Sequence, residues 1–402
     1  MRLTSLDVFR GIAIASMILV NNPGSWKYVY PPLDHAEWNG CTPTDLVFPF
    51  FLFIVGVALS FSLSKYTQDQ KFTSNPANLN QPFAKPEDFP QPNQHQQPSA
   101  KIYGRIARRS AILFALGLLL NTSSIALDVL LNHAPLSTFA NLRIMGVLQR
   151  ISLAYCISAI AVLKLSPRHL WMLATALLFG YWGALTLIPV PGYGPGNLTP
   201  EGNLGAYLDR LILTPTHLYK GGLFDPEGLF STLPAIVTVL TGYFTGQWLR
   251  LQPVKTRTSW NLVLLGLSCL VIGLLWGLFF PINKQLWTSS YVVFTTGWAL
   301  LLLATCYETI EVRRWQWGRF FEIMGLNAIF VFVASGLVAR LLLKTHIGSG
   351  DTAPNTYTWI YENWFQPWAG PMNGSLAFAL TTVLFWWTVL YWMYRRQWLI
   401  KI

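Results

Sequence analysis

The sequence has 402 residues, of which 52% are hydrophobic and 11% are charged, and its formal net charge is +11 at pH 7. Soluble globular domains carry roughly a quarter charged residues, so this composition excludes an ordinary soluble enzyme and indicates a multi-pass membrane protein that is embedded in a lipid bilayer. Basic loops beside membrane segments explain the positive charge, and no basic, aromatic patch is typical of a nucleic-acid groove, so we expect no nucleic-acid partner.

Ten apolar runs approach the length of about 20 residues that a bilayer crossing requires. They predict an all-α polytopic bundle of about ten transmembrane helices, which forms a single domain over residues 1–402. The first run is short, and the ninth is interrupted by Arg340. The ten runs lie near residues 7–22, 44–64, 105–122, 143–163, 169–188, 229–249, 260–280, 288–307, 320–343 and 375–395.

Lysine and arginine residues are shared unequally between the loops on the two sides of this predicted bundle. With the N-terminus in the cytoplasm, most of them lie on the cytoplasmic side, which is the usual distribution in membrane proteins. Both termini are then cytoplasmic, and the loops 23–43, 189–228 and 281–290 face outward. Because these three loops are rich in polar and aromatic residues, we expect them to form one composite outward-facing site.

Residues 66–100 differ in composition from the rest of the chain. They are rich in Gln, Pro and Asn and nearly free of aliphatic residues. Such a stretch cannot bury a core, so the sequence predicts a Gln/Pro-rich disordered cytoplasmic loop here.

The stretch DHAEWNG, residues 34–40, places ionisable side chains between two apolar runs. His35 is the best candidate for proton transfer or nucleophilic attack, because an imidazole takes and returns a proton near neutral pH. Asp34, Glu37 and Asp45 are close enough in sequence to orient it, and an acid at a membrane edge, such as Asp45, usually has a purpose. The alternative is an interfacial histidine that is bonded to the backbone.

Asparagines lie at the end of the first apolar run and inside the ninth. Asn21 and Asn22 end the first run, where an amide can donate to the oxyanion of a tetrahedral intermediate or can simply cap the helix. Spacing alone favours capping. Asn327 lies inside the ninth run and needs a polar partner.

Two arginines and two acids suggest buried ion pairs near the outer edge of the bundle. Arg143 lies at the start of the fourth predicted span, and Arg150 lies two turns deeper, where an arginine needs a partner or a ligand. Asp225 and Glu227 could partner either arginine, or they could start the sixth helix as acids at its positive end.

Several further side chains of the outward loops are candidates for binding a sugar by hydrogen bonds and ring stacking. An interfacial belt of polar and aromatic residues is the alternative interpretation. The candidates are Trp38, Asn39, Asn283, Lys284, Trp287 and Ser290.

Five blocks of the sequence together resemble the heparan-α-glucosaminide N-acetyltransferase family, especially its shorter bacterial members. The blocks extend from about residue 5 to about residue 330 and read SLDVFRGIAIASMILVNN, DHAEWNGCTPTDLVFPFFLFIVG, RIMGVLQRI, FDPEGLFSTLPA and PINKQLWTSSYVVFTTGWALLL. The resemblance implies a multi-helix membrane bundle that moves acetyl from cytoplasmic acetyl-CoA to an amino sugar on the far side.

The resemblance also implies roles for individual residues. The family's active histidine, in a His-Ala-x-Trp-Asn-Gly stretch, corresponds to His35, and its catalytic asparagine corresponds to Asn21. Asp45 is implied as the acid that sets the tautomer or charge of the histidine. The Val-Leu-Gln-Arg and Asp-Pro-Glu-Gly stretches correspond to Arg150 and to Asp225 with Glu227.

The expected function is therefore acetyl-CoA-dependent acetylation of a glucosamine-type amine or other glycan acceptor, without a metal ion. His35 acts either as general base or as nucleophile, and the sequence does not choose between them. Arg105, Arg108 and Arg109 could meet the CoA phosphates, although positive-inside bias explains them equally well. The alternatives are an O-acetyltransferase of cell-envelope glycans and a sugar permease without chemistry.

Two departures from the family pattern bear on location and assembly. The sequence lacks the extra outward N-terminal domain of the lysosomal enzymes. It also inserts the Gln/Pro-rich loop 66–100. We therefore expect a bacterial inner membrane location. A homodimer is allowed by the sequence but is not indicated by it.

Overall fold

The computed structural model describes residues 3–66, 100–348 and 353–400. Over these ranges the regular structure is helical, with isolated β-bridges and no strand, which confirms the all-α prediction. The helices of the described ranges are α1 (Thr4–Asn21), α2 (Val47–Ser62), α3 (Ala100–Leu131), α4 (Val147–Lys164), α5 (Pro167–Leu187), α6 (Leu204–Leu213), α7 (Thr232–Arg250), α8 (Thr256–Gly277), α9 (Ser289–Cys306), α10 (Arg319–Leu326), α11 (Ala328–Lys344), α12 (Thr356–Ile360) and α13 (Gln366–Arg395).

Eight helical segments of the described ranges are long and apolar enough to cross a membrane, and a ninth results if α10 and α11 form one span bent by 78°. Helix α7, predicted as a span over 229–249, is not among the eight. It packs against α2, α4, α5 and α9, so its sides contact protein and can carry polar residues. The multi-pass character is confirmed, and the exact number of crossings stays a prediction.

The element bounds differ from the predicted runs in four places. Helix α3 is much longer than the run 105–122, and Arg143 precedes α4 instead of starting it. The short helix α6 forms within the predicted loop 189–228, and the ninth run is broken at Asn327. The prediction of disorder for 66–100 lies outside the described residues, except for its first and last residue.

Glycines bring α2 and α7 into direct backbone contact. A Cβ at Gly56 would overlap the carbonyl oxygen of Val239, and a Cβ at Gly242 would overlap that of Phe53. Only glycine permits this reciprocal approach, which is a common way for membrane helices to pack. The contact fixes the position of α2, which follows directly after Asp45.

The bundle has two ends, which hold different groups. The end that contains Arg10, Asn327 and Ile400, near the start of α1 and the end of α13, is called the terminal end. The opposite end, where α1 ends and α2 begins, contains Asn21 and His35 and is called the site end. The three polar loops predicted to meet do meet at the site end, as the following contacts show.

Candidate functional site

Asp45 is held by the turn that leads into α2. Thr42 and Asp45 form a capping box around the 3-10 turn Pro43–Leu46, in which Asp45 Oδ2 accepts hydrogen bonds from Thr42 N at 3.0 Å and Thr42 Oγ1 at 3.1 Å. Ala36 N donates to the same oxygen at 3.1 Å. The side chain of Asp45 is 1% exposed, so a carboxylate of fixed orientation lies beneath the loop.

His35 contacts this carboxylate directly. Its Nδ1 lies 2.7 Å from Asp45 Oδ1, and its side chain is 40% exposed. With the proton on Nδ1, the imidazole donates to Asp45 and the lone pair is on Nε2, which lies 3.4 Å from Lys284 Nζ. This pairing of an accessible imidazole with a buried orienting acid suits a general base or a nucleophile.

Lys284 joins the pair from a segment 249 residues away in sequence. Its Nζ lies 3.4 Å from Asp45 Oδ1 and 3.0 Å from His35 Nδ1. Burial lowers the pKa of the Lys284 ammonium, and the charges of Asp45 and Glu227 oppose that effect. The cation and the imidazole therefore share one carboxylate.

The segment that carries Lys284 is tied to the DHAEWNG loop by two bonds. Gly40 N donates to Ile282 O at 2.7 Å, and Asn283 Nδ2 donates to Asn39 Oδ1 at 3.1 Å. Gly40 has a φ of +111°, a left-handed conformation that glycine adopts without strain. The two loops thus form one unit, and Asn39 acts here as a link between them.

Asn283, Trp287 and Ser290, predicted to bind sugar, lie beneath the surface and are at most 1% exposed. Asn283 Oδ1 accepts from the backbone of Leu286 at 2.8 Å, and Ser290 Oγ donates to Phe280 O at 2.6 Å. Trp287 Nε1 donates to a threonine hydroxyl of α7 at 3.1 Å. Their contacts hold the 281–290 loop in shape, so the structure places them as supports of the site and away from its surface.

Trp38 connects the DHAEWNG loop to the third polar loop. Its Nε1 donates to Leu198 O at 3.0 Å, and its ring meets the edge of Phe224 at 5.2 Å between centroids. Trp38 therefore brings 189–228 against 34–40, which agrees with the predicted composite arrangement.

Arg143 forms ion pairs with both acids of the Asp-Pro-Glu stretch. It donates to Asp225 through Nε at 2.9 Å and through a terminal nitrogen at 2.5 Å, and to Glu227 at 2.5 Å. Burial raises the pKa of the Glu227 carboxyl, but the charges of Arg143 and Arg150 more than offset burial and leave that pKa below its ordinary value. The sequence left open whether Asp225 and Glu227 pair with Arg143 or Arg150 or start a helix. The structure shows ion pairs of both acids with Arg143.

Arg150 is fully buried and is held differently. One terminal nitrogen donates to Pro226 O at 2.8 Å and to the hydroxyl of Ser231, and the guanidinium lies 5.0 Å from the ring centroid of Trp287. Arg150 thereby braces the loop that presents Glu227.

The three asparagines at the end of the first apolar run and within the ninth lie in different environments. Asn21 is exposed at the end of α1 and lines a cavity of about 870 Å³, together with Asn22. Asn22 is buried, and its amide caps α1 by donating to Ile18 O at 2.8 Å. Asn327 lies at the break between α10 and α11, where its amide bonds to the backbone of Trp398 and Ile400. These bonds give Asn327 the polar partner that the sequence required, at the opposite end of the bundle from His35.

Some residues of the site had no predicted role. Thr42 could have been found from the Thr-x-x-Asp pattern of a capping box. Tyr291 donates to the carbonyl oxygen of Asp45 at 2.6 Å, a contact between distant segments that leaves no local signal. Burial raises the pKa of the Cys41 thiol to about 12, so this neighbour of Asp45 stays protonated at neutral pH and is a poor nucleophile.

Comparison with known proteins identifies the family of this chain. A family model described as "Heparan-alpha-glucosaminide N-acetyltransferase, catalytic" matches residues 2–275. The chain belongs to this family. It is similar to the heparan-alpha-glucosaminide N-acetyltransferase of Homo sapiens, at 31% identity over 83% of this chain and 52% of the relative, and to that of Mus musculus, at 30% identity over 83% and 53%. The chain spans about half the length of these curated relatives.

Family membership confirms the resemblance found in the sequence blocks. His35, Asp45, Arg143 and Glu227 lie within the part that the heparan-alpha-glucosaminide N-acetyltransferase model matches, and Lys284 lies beyond it. The structure shows the contact between Lys284 and Asp45, but the family model does not cover Lys284.

Proposed function

We propose that this protein transfers the acetyl group of acetyl-CoA to the amine of a glucosamine-type sugar. The observation that carries the proposal is the 2.7 Å contact between His35 Nδ1 and the buried carboxylate of Asp45, in a chain of this family. The human and mouse relatives are named for N-acetyl transfer to a heparan glucosaminide, which supports the same reaction type here.

In the proposed reaction His35 is the general base. Its Nδ1 proton stays on the bond to Asp45, and Nε2 takes a proton from the sugar amine as that nitrogen attacks the thioester carbonyl. A C–N bond forms, the C–S bond breaks, and the departing CoA sulfur takes up a proton. Asp45 stabilises the imidazolium, and the exposed amide of Asn21 is the proposed donor to the oxyanion.

The donor is proposed to enter at the terminal end. A cavity of about 300 Å³ there is lined by Arg10, Arg109, Tyr155 and Ile400. The Nε of Arg109 is buried without a hydrogen-bond partner in the described residues, and its guanidinium lies 4.8 Å from the ring centroid of Tyr155. Of the three clustered arginines, Arg109 is therefore the one proposed to meet the CoA phosphates.

The sidedness follows from this assignment. The terminal end would face the cytoplasm, with both chain termini, and the site end would face outward from a bacterial inner membrane. The acceptor would then meet His35 from the outside.

The test is acetyl transfer by purified protein from radiolabelled acetyl-CoA to glucosamine, to glucosamine-terminated oligosaccharides and to neutral glycans. We expect N-acetyl product from the wild type and a kcat about 10²- to 10⁴-fold lower in His35→Ala, the range for loss of a general base. His133→Asn is the matched control, because His133 has a φ of +53° that asparagine tolerates. Equal rates for wild type and His35→Ala would remove His35 from the mechanism.

The transfer assay, together with an uptake assay in proteoliposomes, separates the alternative functions and the alternative role of His35. Product on neutral glycans alone would indicate an O-acetyltransferase, and uptake of labelled sugar without acetyl-CoA would indicate a permease. Transfer of label from labelled free CoA into unlabelled acetyl-CoA in the absence of acceptor, lost in His35→Ala, would show an acetyl-imidazole intermediate, in which His35 is the nucleophile.

A further inference from the structure

Asp209, on the short helix α6, is a buried acid that the proposed reaction does not use. It is 2% exposed, and its Oδ1 accepts hydrogen bonds from the backbone nitrogens of Leu229 at 2.9 Å and Phe230 at 3.2 Å. Within the described residues its carboxylate forms no salt bridge. A buried carboxylate without a cation is costly to a fold, so its presence beside this turn points to a role.

The turn that Asp209 holds has no room for a side chain at its first residue. A Cβ at Gly228 would overlap Asp209 Oδ2. Glycine therefore lets the carboxylate reach the N–H groups of the turn, and a larger residue at this position would push the carboxylate away from them.

Arg150 holds the same turn from the other side. One of its terminal nitrogens donates to Gly228 O at 3.3 Å, and Thr232 Oγ1 donates to the same oxygen at 2.9 Å. The turn thus lies between a buried anion of α6, bonded to its N–H groups, and a buried cation of α4, bonded to its carbonyl group. Because Glu227 directly precedes the turn, the position of the turn determines the position of Glu227.

Glu227 connects this turn to His35 and Asp45. It forms an ion pair with Arg143, and its charge opposes the effect that burial has on the Lys284 ammonium. Lys284 in turn lies 3.4 Å from Asp45 Oδ1 and 3.0 Å from His35 Nδ1. A displacement of Glu227 therefore alters the electrostatics at the imidazole.

We propose that Asp209 is a positioning residue for the site, whose ionised form holds the turn 228–231 and Glu227 in place and whose protonated form loosens them. The proposal rests on the proposed function. A carboxylate accepts hydrogen bonds about twice as strongly as a neutral group, so protonation weakens both bonds from the turn. The consequence is acetyl transfer that depends on the charge of a group outside the catalytic pair.

The pH at which Asp209 changes charge follows from its surroundings. Helix α6 is not one of the membrane-spanning candidates of the described ranges, and burial raises the pKa of the Asp209 carboxyl to about 6. The charge of Asp225 acts in the same direction, whereas the two backbone bonds and the charge of Arg150 act against it. Tyr181 of α5 also faces the carboxylate, and Arg210 of α6 itself bonds to backbone carbonyls. The carboxylate therefore takes up a proton as the pH falls through about 6.

The direction of this pKa separates Asp209 from an acid that only stabilises the fold. Because the pKa of Asp209 lies above its ordinary value of 3.8, the folded protein loses stability as the pH rises from 3.8 to about 6. An acid whose ionised form stabilises the fold would show the opposite dependence. Asp209→Asn removes the buried charge, so we expect this variant to be folded at neutral pH.

The primary test measures backbone hydrogen exchange of residues 228–232 and does not depend on acetyl transfer. At about pH 7.5 we expect exchange about tenfold faster in Asp209→Asn than in wild type, because the bonds from Leu229 and Phe230 lose their charged acceptor. At about pH 5, where Asp209 of the wild type is protonated, the two rates should be equal. Glu201→Gln, which neutralises an exposed acid of the same polar loop, is the matched control and should exchange like wild type.

The kinetic arm compares kcat/KM for glucosamine between wild type and Asp209→Asn over the same pH range. His35 titrates in both proteins, so its contribution cancels in the ratio. We expect wild type to exceed the variant about tenfold above about pH 7 and the ratio to approach one at about pH 5. Gly228→Ala, which moves the carboxylate off the turn, is a second variant and should lower kcat/KM at neutral pH to a similar extent.

The outcomes distinguish the proposal from the proposed function. Equal exchange in wild type and Asp209→Asn at every pH would overturn the proposal, and so would a difference that does not change with pH, since that indicates a purely structural acid. Faster exchange with unchanged kcat/KM would overturn the positioning role. A wild type that acetylates nothing would contradict the proposed function, and the exchange rates alone would then decide whether the charge of Asp209 holds the turn.

Discussion

Two buried carboxylates at the site end and an arginine at the terminal end of the helix bundle differ in how they are paired. At the site end, Asp45 and Asp225 are each 1% exposed, and each has a His or Arg nitrogen within 3 Å. At the terminal end, the Nε of Arg109 is buried in a cavity wall without a partner among the described residues. The buried carboxylates Asp45 and Asp225 of the site end are thus paired within the protein, whereas the Nε of Arg109 at the terminal end is unpaired among the described residues.

Under the proposed function, the two ends would perform different tasks. Acid–base chemistry requires groups held in fixed orientation before the substrate arrives, and the capping box around Asp45 provides this. Binding of an anionic donor requires cations whose partner comes from outside, and in the proposed function Arg109 would be such a cation. The variants below break one end at a time.

Asp45→Asn should have the largest effect. Asparagine keeps the shape of the side chain but removes the charge that holds the imidazole, so we expect kcat to fall about 10²- to 10⁴-fold. Steady-state transfer to glucosamine measures it. Asp34→Asn is the control, because the Asp34 carboxylate accepts from the backbone N of His35, does not bond to the imidazole and lies in the same loop. An Asp45→Asn enzyme within threefold of wild type would contradict the role of this carboxylate.

Arg143→Gln should give the largest loss of stability. It leaves Asp225 and Glu227 buried without their cation, and we expect a loss of about 3–5 kcal/mol at neutral pH. Thermal unfolding in detergent measures it. Arg210→Gln is the control, since Arg210 donates to the backbone carbonyls of Leu223 and Glu201.

The stability difference between wild type and Arg143→Gln should depend on pH. Because the pKa of Glu227 lies below its ordinary value of 4.5 in the folded protein, the stability that it contributes is present above that value and is lost as the pH falls. The stability difference between wild type and Arg143→Gln should therefore narrow below about pH 4.5. A difference that widens on acidification would contradict the ion pair.

Arg109→Gln tests the terminal end. We expect the KM of acetyl-CoA to rise about tenfold, with the KM of glucosamine unchanged, because one charged contact to a phosphate is lost. Arg105→Gln is the matched control, an exposed arginine one turn away that does not line the cavity. Equal acetyl-CoA KM values for the two variants would place the phosphates elsewhere.

Asn327→Ala should have the smallest effect. It removes two hydrogen bonds to the C-terminal segment, at 3.0 and 2.9 Å, each contributing about 0.5–1.5 kcal/mol. We expect faster hydrogen exchange at residues 396–400 and transfer activity within about twofold of wild type. Asn363→Ala, which removes an exposed bond within one helical turn, is the control. A large loss of activity in Asn327→Ala would return this residue to the binding site.

The sequence could predict the contacts that lie within one block and the helices that are uniformly apolar. His35 and Asp45 are ten residues apart and are joined by a readable turn, so their pairing was within reach. The Lys284 contact spans 249 residues, and only the packing of the loops determines it. The inward orientation of Trp287 and Ser290 could not be predicted, because polar and aromatic residues occur both on and beneath such surfaces.

The sequence did not predict the break at Asn327 or the burial of α7, because hydropathy alone shows neither feature. Residues 320–343 are apolar throughout most of their length, so hydropathy alone does not distinguish a straight span from one bent by 78°. Helix α7 is surrounded by other helices, and a helix without lipid contact need not be strongly apolar. In both cases the deciding contacts come from distant segments.

The most direct measurement of the central claim uses oriented proteoliposomes, with labelled acetyl-CoA on one side and glucosamine on the other. We expect N-acetylglucosamine only when acetyl-CoA is on the side of the Arg109 cavity and glucosamine is on the side of His35, and none in His35→Ala vesicles. Equal product when both substrates are confined to the His35 side would contradict a donor that enters from the opposite end.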